Sequence, residues 1–543
     1  MTSQYRIGVD VGGTFTDVVC IAADGTETLA KAASTPADQS EGVIAGLGVL
    51  ADSLGLPLGE LLARTERIVH GTTVATNALL ERKGASVAML TTEGHRDVIE
   101  MREGLKPERY DMRLAAPEPL VPRSRRIPVR ERLRADGAVE TPLDPASLDA
   151  AIARMREQGV ASVAICFLHA WRDPKHEHAA ADAVRRAMPE AYVTCSADVL
   201  PQIKEFERFS TTAVNAYVGP VVSRYLERLA GRLEAAGYGG TLFVILSHGG
   251  IAPVEEAARL AVGTALSGPA GGVAAAVALA RQGQAPDLVT FDMGGTSTDI
   301  ALVVGGEAAL GRGRVVAGER IALESLDIVT LGAGGGSIAH LGSGGTLQVG
   351  PRSAGAVPGP ACYGAGGTEP AVTDANLVLG YLDPANFLGG RKTLDVAAAE
   401  RAVAALAARL GITAEACALG IHRLVNARMA DGVRVATVRR GVDPRDATLL
   451  AFGGAAGLHA TAVARELGLR RAAVPLFAAG LSAWGMLQSD LRYEGAQSAV
   501  SATGMPPEAE VAALFDALER QGRARMAAWY RGDIAALRSA DMR

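Results

Sequence analysis

Residues 7–19 read IGVDVGGTFTDVV, and the interpretation of the whole chain depends on this stretch. An apolar run ends at Asp10, and two glycines, hydroxyl residues and Asp17 follow it. This order predicts a strand, a tight turn and a returning strand, with N–H groups, hydroxyls and a carboxylate at one tip. Glycine lets a ligand approach the backbone closely, and oxygen ligands suit a hard cation. The stretch therefore indicates a site for a phosphate and its magnesium, although a plain hairpin turn can have the same residues.

The same pattern occurs a second time in the chain. Residues 289–300 read VTFDMGGTSTDI, and segments 10–17 and 292–299 share six of eight positions at a spacing of 282 residues. Two copies, each after an apolar run, predict a duplicated phosphate-binding hairpin in two similar halves of the protein. If the hairpins face each other across a cleft, they can hold a polyphosphate between them. Each would supply N–H groups, hydroxyls and an aspartate for magnesium or for an attacking group.

A third glycine turn is expected to bind the adenosine end of the nucleotide. Residues 449–460 read LLAFGGAAGLHA, an apolar strand, two glycines and a helix of small residues, and a flat base can lie against such a turn. Residues 331–336, LGAGGG, form a further loop within reach. No Gly-Lys dipeptide occurs, so a P-loop is excluded, and no GxGxxG follows a strand. The three turns, with alternating strand and helix signals, predict the actin/sugar-kinase/Hsp70-like ATPase fold, an α/β architecture of two duplicated lobes around a nucleotide cleft.

The composition excludes some classes of protein but does not identify the function. The 543 residues, 48% hydrophobic and 21% charged, predict about three or four globular domains. A net charge of −5 gives no electrostatic reason to expect nucleic acid or an anionic membrane as a partner. Five widely spaced cysteines are typical of core thiols in a reducing compartment. No signal peptide and no apolar stretch long enough to span a membrane are visible, so a cytoplasmic protein is expected.

Beyond the fold, the chain resembles the hydantoinase/5-oxoprolinase family, at its A-type (N-methylhydantoinase A-like) subunit. The resemblance covers nearly the whole chain and includes long, unusual motifs in addition to the two hairpins. These are HGTTVATNALL at 70–80, SGPAGGV at 267–273, GPRSAGAVPGPACY at 350–363 and VTDANLVLGYLD at 372–383, together with 451–460.

The resemblance implies an enzyme that uses ATP and Mg²⁺ to open a cyclic amide such as a hydantoin or 5-oxoproline. Phosphorylating the carbonyl oxygen turns that oxygen into a leaving group, so that water can attack the carbon. The family also implies a hetero-oligomer with a B-type hydantoinase subunit. Related members are subunits of acetone and acetophenone carboxylases, which leaves the ATP-binding subunit of a carboxylase as the alternative.

The candidate site residues come from the three turns and the LGAGGG loop. Asp10 and Asp292 are expected to be both catalytic and magnesium-binding. The residues expected to contact the nucleotide are Gly12, Gly13, Thr14, Thr16, Gly294, Gly295, Thr296, Thr298, Gly334, Gly335, Gly453 and Gly454. Thr16 and Thr298 can alternatively serve only to stabilise the hairpins.

Three domains are expected: an N-terminal lobe over 1–190, a second lobe over 191–500, and a helix near the C-terminus within 501–543 that would begin a truncated further domain. The chain departs from hydantoin-type members after residue 97, where it reads MREGLK at 101–106 instead of a Gly-Arg pair nearby. This difference keeps the carboxylase alternative open.

Several other residues have no assigned role. His70, His459 and Cys362 lie in family-like motifs, but a lone histidine or cysteine is more often structural. The pair His176 and His178 is expected to lie on a solvated helix face, and the arginine-rich segment 123–134 on a solvated surface or a partner interface. Two other classes of protein fit less well: a nucleotide-gated scaffold of the actin or Hsp70 kind, and a sugar kinase, in which the long motifs have no place.

Overall fold

The computed structural model describes residues 4–35, 38–104, 108, 110–115, 117–283, 285–387, 390, 392–500, 504, 506–530 and 532–539. The first twelve strands are β1 Tyr5–Val11, β2 Phe15–Ala22, β3 Glu27–Ala33, β4 Thr65–Gly71, β5 Val87–Thr92, β6 Arg126–Val129, β7 Arg132–Leu133, β8 Val139–Thr141, β9 Ser162–Cys166, β10 Tyr192–Cys195, β11 Thr241–Ile245 and β12 Ile251–Pro253. The others are β13 Leu288–Met293, β14 Thr298–Val304, β15 Glu307–Ala308, β16 Leu310–Val316, β17 Glu319–Leu326, β18 Ile328–Leu331, β19 Ser337–Leu341, β20 Leu347–Ser353, β21 Thr448–Phe452 and β22 Arg471–Ala473.

The helices are α1 Gln39–Ser53, α2 Leu58–Ala63, α3 Val74–Leu80, α4 Val98–Met101, α5 Pro145–Glu157, α6 Lys175–Ala187, α7 Ser196–Val199, α8 Glu205–Ala235, α9 Val254–Arg259, α10 Ser267–Arg281, α11 Val372–Val378, α12 Val396–Leu410, α13 Ala414–Val438, α14 Ala460–Leu467, α15 Leu481–Leu487 and α16 Glu508–Ala527.

Two sheets with the same topology form the centre of the molecule. In the first, β1, β2 and β3 form an antiparallel meander, and β4 and β11 continue the sheet parallel to β1, in the order β12-β11-β4-β1-β2-β3. In the second, β13, β14 and β15 form the meander, and β21 and β22 continue parallel to β13. Each meander begins with one copy of the repeated sequence. The duplication confirms the predicted actin/sugar-kinase/Hsp70-like fold.

The first sheet takes strands from beyond the expected domain boundary. Strands β11 and β12 follow residue 190 in the chain, and the long helix α8 contributes to the same core as β1 and β4. The division at 190/191 stays a prediction, but the first sheet is completed only by chain up to Pro253. The expected C-terminal helix is present as α16, none of whose residues is buried.

The two lobes meet where α10 crosses α15. A Cβ at Gly271 would lie 2.6 Å from the Ser482 carbonyl oxygen, and one at Gly485 would collide with the Gly271 carbonyl oxygen. Likewise, a side chain at Gly8 on β1 would collide with the Ala483 carbonyl oxygen. The SGPAGGV motif therefore contains small residues because helix α10 packs backbone to backbone.

An additional four-stranded parallel sheet, in the order β10-β9-β5-β6, is inserted between β4 and β11 and has its own core with α5 and α6. The arginine-rich segment 123–134 contributes β6 to this sheet. The expectation of a solvated surface is wrong for Arg126, which is 2% exposed and donates to the Val121 carbonyl, Asp97 and Glu100. The neighbouring residues 105–107, 109 and 116 lie outside the described residues, and so do residues 105 and 106 of the MREGLK departure.

All five cysteines are free and buried, as expected. Among the described residues, no single helix is long and apolar enough to cross a membrane; one bent pair, Val396–Leu410 with Ala414–Val438, passes that test by length and composition only when the two are taken together.

Candidate functional site

The two repeated segments form hairpins with the same geometry. Asp10 pairs with Asp17 across β1 and β2, and Asp292 pairs with Asp299 across β13 and β14. The turn is closed by one hydrogen bond in each copy, 3.0 Å from the Gly12 N–H to the Phe15 carbonyl and 3.0 Å from the Gly294 N–H to the Ser297 carbonyl. The predicted strand–turn–strand structure is confirmed in both copies.

The tips of the two hairpins face each other. Thr14 Oγ1 lies 3.6 Å from the position that a Cβ at Gly295 would occupy, and Asp10 is close enough to act electrostatically on Asp292. Within the described residues, the N–H groups of Gly13, Thr14, Gly295 and Thr296 donate to no protein acceptor. Four unpaired N–H groups at opposed tips form a concave site that suits an anion.

A serine that the sequence analysis missed supports the first hairpin from behind. Ser34 donates its Oγ to the Gly12 carbonyl at 2.8 Å and its N–H to the Thr14 carbonyl at 3.0 Å. Thr16 is fully buried, and its hydroxyl lies 3.2 Å from Ser34 Oγ. Because Ser34 takes up the carbonyls, the turn keeps its N–H groups for a ligand. The geometry of Thr16 supports the alternative that it stabilises the hairpin.

The LGAGGG loop supports the second hairpin in the equivalent way. The Gly335 N–H donates to the Gly294 carbonyl at 3.0 Å, and the Gly336 N–H donates to the Gly295 carbonyl at 2.6 Å. The Gly334 N–H donates to Ser337 Oγ at 2.9 Å. The N–H groups of Gly334 and Gly335 are therefore used within the protein, and their predicted contact with nucleotide stays a prediction.

Thr298 resembles Thr16 in its surroundings. It is fully buried, and its hydroxyl donates to the Ala333 carbonyl at 2.6 Å. A Cβ at Gly334 would lie 2.8 Å from both the Gly295 carbonyl and the Ser297 nitrogen, so only glycine lets the loop approach the hairpin this closely. The loop and the hairpin thus form one rigid unit.

The third glycine turn lies beside the second aspartate. Gly453 has a φ of +87°, and a Cβ there would collide with Asp292 Oδ1. Its N–H donates to the Ala478 carbonyl at 2.8 Å, whereas Gly454 faces open space. Gly453 is therefore required by the close approach of Asp292, and adenosine binding at Gly453 and Gly454 stays a prediction.

Four carboxylates gather around the hairpin tips. Burial, with the charge of Asp17 second and against the effect of Lys31, raises the pKa of Asp10 to about 7. Burial, then the charges of Asp299 and Asp10, raises the pKa of Asp292 well above its usual value. Asp17 forms an ion pair with Lys31, and Asp299 accepts from the Thr330 hydroxyl. Among the described residues, Asp10, Asp292 and Asp299 form no direct ion pair. Asp10 and Asp292 also lack the close hydroxyl donor that Asp299 has, since the Ser482 hydroxyl lies 3.5 Å from Asp292.

This donor set fits a magnesium ion bound together with phosphate. Among the residues that the structure describes, no group of three or more His, Cys, Asp or Glu side chains is arranged to hold a metal alone. Magnesium usually takes one or two carboxylates and completes its shell with water and phosphate oxygens. Asp10 and Asp292 match that pattern, since a cation would relieve the cost of ionising them.

The two histidines and the cysteine of the family motifs are buried. His70 is fully buried, its Nε2 lies 2.8 Å from the Tyr225 hydroxyl, and burial lowers its pKa to about 4. His459 lies between Asn426 and Asn376, and burial lowers its pKa to about 3. Burial, with Asp374 second, raises the pKa of the Cys362 thiol, so it is no ready nucleophile.

Helix α11 connects these loops, and the sequence analysis gave it no role. Thr373 donates its N–H and its hydroxyl, each at 2.8 Å, to the Gly335 carbonyl. Asp374 accepts the N–H groups of residues 361, 362 and 371. Asn376 donates to His459 at 3.1 Å and accepts from His422 at 2.9 Å. The TDAN of VTDANLVLGYLD could have indicated this, because Thr, Asp and Asn often satisfy loop backbone near a helix start.

His176 and His178 each contact a different carboxylate. His176 is buried with its Nδ1 2.8 Å from Glu131, so the expected solvated face is wrong for this residue. His178 is exposed and lies 3.0 Å from Asp198. The two side chains thus have different carboxylate partners.

Comparison with known proteins identifies the family. The model for the hydantoinase/oxoprolinase N-terminal region matches residues 6–188, and the hydantoinase/oxoprolinase model matches residues 208–495. The chain belongs to the hydantoinase/oxoprolinase family, which confirms the resemblance drawn from the motifs.

Among its relatives, the chain is 45% identical over 494 residues to caprolactamase subunit alpha of Pseudomonas jessenii, a match covering 90% of this chain and 71% of that protein. The crystal structure of the ATP-dependent caprolactamase from Pseudomonas jessenii superimposes with a TM-score of 0.85 at 42% identity, over 96% of this chain and 76% of that one. The nucleotide-free structure of acetone carboxylase gives a TM-score of 0.83 at 28% identity, over 97% and 77%.

Proposed function

We propose that this chain is the ATP-binding subunit of an enzyme that opens a cyclic amide, a lactam or hydantoin, by phosphorylating its carbonyl oxygen. A B-type subunit completes the hydrolysis, and the working enzyme is a hetero-oligomer. The single observation that carries the proposal is the pair of opposed hairpins, which present four unpaired N–H groups beside Asp10 and Asp292.

The hairpins are suited to hold the phosphates of ATP between the lobes. N–H groups fixed at opposed tips stabilise the charge that builds up on the phosphoryl oxygens, without reorganising during the reaction. Ser34 on one side, and Gly335 and Gly336 on the other, keep the hairpin carbonyls turned away from those oxygens. The adenosine end is proposed to lie against Gly453 and Gly454.

Each ring opening consumes one ATP and two waters. The γ-phosphoryl group breaks its bond to the β-phosphate and bonds to the amide carbonyl oxygen, and the amide N–H gives up its proton. Water adds to the activated carbon, the C–N bond breaks with a proton going to nitrogen, and a second water displaces phosphate together with the original carbonyl oxygen. The sum is one lactam, one ATP and two waters, giving an amino acid, ADP and phosphate.

Asp10 and Asp292 supply two functions in this scheme. Bound Mg²⁺ would neutralise charge on the phosphates, and these carboxylates are the oxygen ligands that would face it. Mg²⁺ would hold a carboxylate that binds it in the ionised form, and an ionised Asp10 or Asp292 can also accept the amide proton as the oxygen is phosphorylated.

The lactam substrate class rests on similarity. The chain is 45% identical to a caprolactamase subunit over 90% of its length, and 37% identical to the gamma subunit of acetophenone carboxylase over 83% of its length. That relative is a subunit alpha, which supports the proposed second subunit. The carboxylase function is the alternative, and the experiment below distinguishes the two.

The test is ATP turnover by the purified complex with its B-type subunit. Turnover with caprolactam, 5-oxoproline or hydantoin is compared with turnover with acetone or acetophenone plus bicarbonate. We expect at least one cyclic amide to stimulate ADP release and to be consumed one for one with ATP. Stimulation only by a ketone with bicarbonate would replace the lactam assignment with the carboxylase one, and no stimulation by either would overturn both.

A further inference from the structure

The inserted sheet has the topology of a ligand-binding α/β unit. Its strands follow one another in the chain as β5, β6, β9 and β10, but lie side by side as β10-β9-β5-β6, all parallel. The chain moves from β5 to one side and then returns to the other, so the order reverses between β5 and β9. In open parallel sheets, ligands bind outside the carboxyl ends of the strands at such a reversal. We call this place, residues 92–95, 129–132 and 167–171, the carboxyl edge.

A buried polar network makes the floor of the carboxyl edge rigid. Thr92 accepts the Leu168 N–H at 2.9 Å and donates to Glu131, which also pairs with His176. On the other side, Glu177 accepts the Phe167 N–H at 2.8 Å.

The same network continues into helix α8. Glu177 also accepts from Ser196 Oγ at 2.6 Å, and the fully buried Arg208 donates to Ser196 Oγ and to the Phe167 carbonyl. Networks this complete fix the backbone at one position. The ends of β5 and β9 are thus held in place without using the side chains above them.

Two ring nitrogens at this edge lack partners. Trp171 is 4% exposed and its Nε1 makes no hydrogen bond within the described residues; the same holds for the buried Nδ1 of His169. The rings of these two residues lie 6.5 Å apart, edge to face. Buried polar atoms in native proteins are nearly always hydrogen-bonded, so two orphans within three residues require an explanation. His169 also has a φ of +57°, a conformation found for few residues other than glycine and often at functional sites.

The charged groups around His169 are mainly cationic. Arg132, Arg208 and His95 lie within electrostatic range of His169 and help to lower its pKa, whereas Glu205 raises it. Arg208 is used in the network, but Arg132 makes no ion pair and no side-chain hydrogen bond among the described residues. Arg132 and the Trp171 Nε1–H offer donors, and His169 Nδ1 offers another in the tautomer that carries its proton there, so the matching ligand must offer acceptors and negative charge.

We propose that the carboxyl edge is a second ligand site of this chain, which binds a small organic carboxylate through Arg132, His169 and Trp171. The site belongs to the inserted sheet and does not include either phosphate hairpin. Its assignment stands independently of the proposed ATP chemistry.

The test is calorimetric titration of the full chain with hexanoate, hexylamine and inorganic phosphate. Hexanoate is expected to bind saturably with a Kd of about 1 mM or tighter, whereas hexylamine and phosphate give no saturable heat. Tryptophan emission should change with the same Kd, and Trp171→Phe should remove that change although two other tryptophans remain. Absence of saturable hexanoate binding, or tighter binding of phosphate, would overturn the assignment.

Two arginines of one hairpin give a matched pair of variants. Arg132→Gln should weaken hexanoate binding about tenfold or more, because it removes a charge-assisted hydrogen bond. Arg134→Gln, which removes an exposed arginine paired with Asp136, should leave the Kd within about twofold. Equal effects of the two variants would refute a specific site. Asp10→Asn should not alter hexanoate binding, so this test can fail or succeed separately from the proposed function.

Discussion

Replacing Asp10 by asparagine is expected to stabilise the ligand-free protein while abolishing its activity. The pKa of Asp10 is raised from 3.8 to about 7, first by burial and then by the charge of Asp17. The folded protein thus holds this proton more tightly than the unfolded chain, and ionising Asp10 lowers stability as the pH rises from about 4 to 7. A difference of about 3 pKa units corresponds to ~4 kcal/mol. Because the Asp10 side chain is only half-buried by its accessible surface, solvent screening reduces the effect and we expect about half of this, ~2 kcal/mol.

Asparagine has the same shape and cannot ionise, so Asp10→Asn should raise the unfolding free energy by ~2 kcal/mol at pH 8 and by almost nothing at pH 4. Thermal unfolding of both proteins from pH 4 to 9, without nucleotide or metal, measures this difference. Asp24→Asn is the matched control: this exposed carboxylate accepts the Thr26 N–H, which lowers its pKa, so its replacement should not stabilise the protein at pH 8. Mg·ATP should stabilise the wild type and not Asp10→Asn. If Asp10→Asn were destabilising at pH 8, or its effect did not depend on pH, the reasoning about the uncompensated carboxylate would be refuted.

Three further substitutions test the supports of the site. Thr373→Val should weaken Mg·ATP binding about fivefold in calorimetry, because the lost hydroxyl hydrogen bond to the Gly335 carbonyl is worth ~1 kcal/mol. Thr373→Ser keeps the hydroxyl and should bind normally. Equal loss in both variants would contradict the supporting role of this hydroxyl. Gly453→Ala should destabilise the ligand-free protein by ~2–3 kcal/mol, because it forces a side chain at φ +87° against Asp292, whereas Gly454→Ala, in open space, should not; the two melting temperatures decide. Gly485→Ala should cost ~1–3 kcal/mol by overpacking the α10–α15 crossing, while Gly231→Ala, on the exposed face of α8, should gain ~0.5–1 kcal/mol in the same denaturation assay.

The repeated hairpins were predictable because their geometry is local. The residues Asp10 to Asp17 contain the turn, the glycines and the pairing within eight positions, and so does the second copy. A twofold repeat then determines the architecture of both lobes, since each hairpin begins a meander. The small residues of SGPAGGV, by contrast, are explained by the close packing of α10 against α15.

The supports of the site were not predictable, because they depend on contacts between distant parts of the chain. Ser34 reaches the Gly12 carbonyl across 22 positions, and Thr373 reaches Gly335 across 38. Gly335 was expected to contact the nucleotide, but its N–H donates to the second hairpin. A glycine loop has the same composition in both cases, so the sequence does not tell which partner its N–H groups have. For the same reason, the burial of Arg126 in an arginine-rich segment is visible only once Asp97 and Glu100 are seen beside it.

The central claim, that the chain uses ATP to phosphorylate the carbonyl oxygen of a cyclic amide, is tested most directly by isotope transfer. The complete complex would be given ATP and a lactam labelled with ¹⁸O in its carbonyl group, in unlabelled water, and the inorganic phosphate released would be analysed by mass spectrometry. The account predicts that each phosphate released with ring opening carries one ¹⁸O atom, because the carbonyl oxygen leaves with the phosphoryl group. Ring opening accompanied by unlabelled phosphate would contradict it.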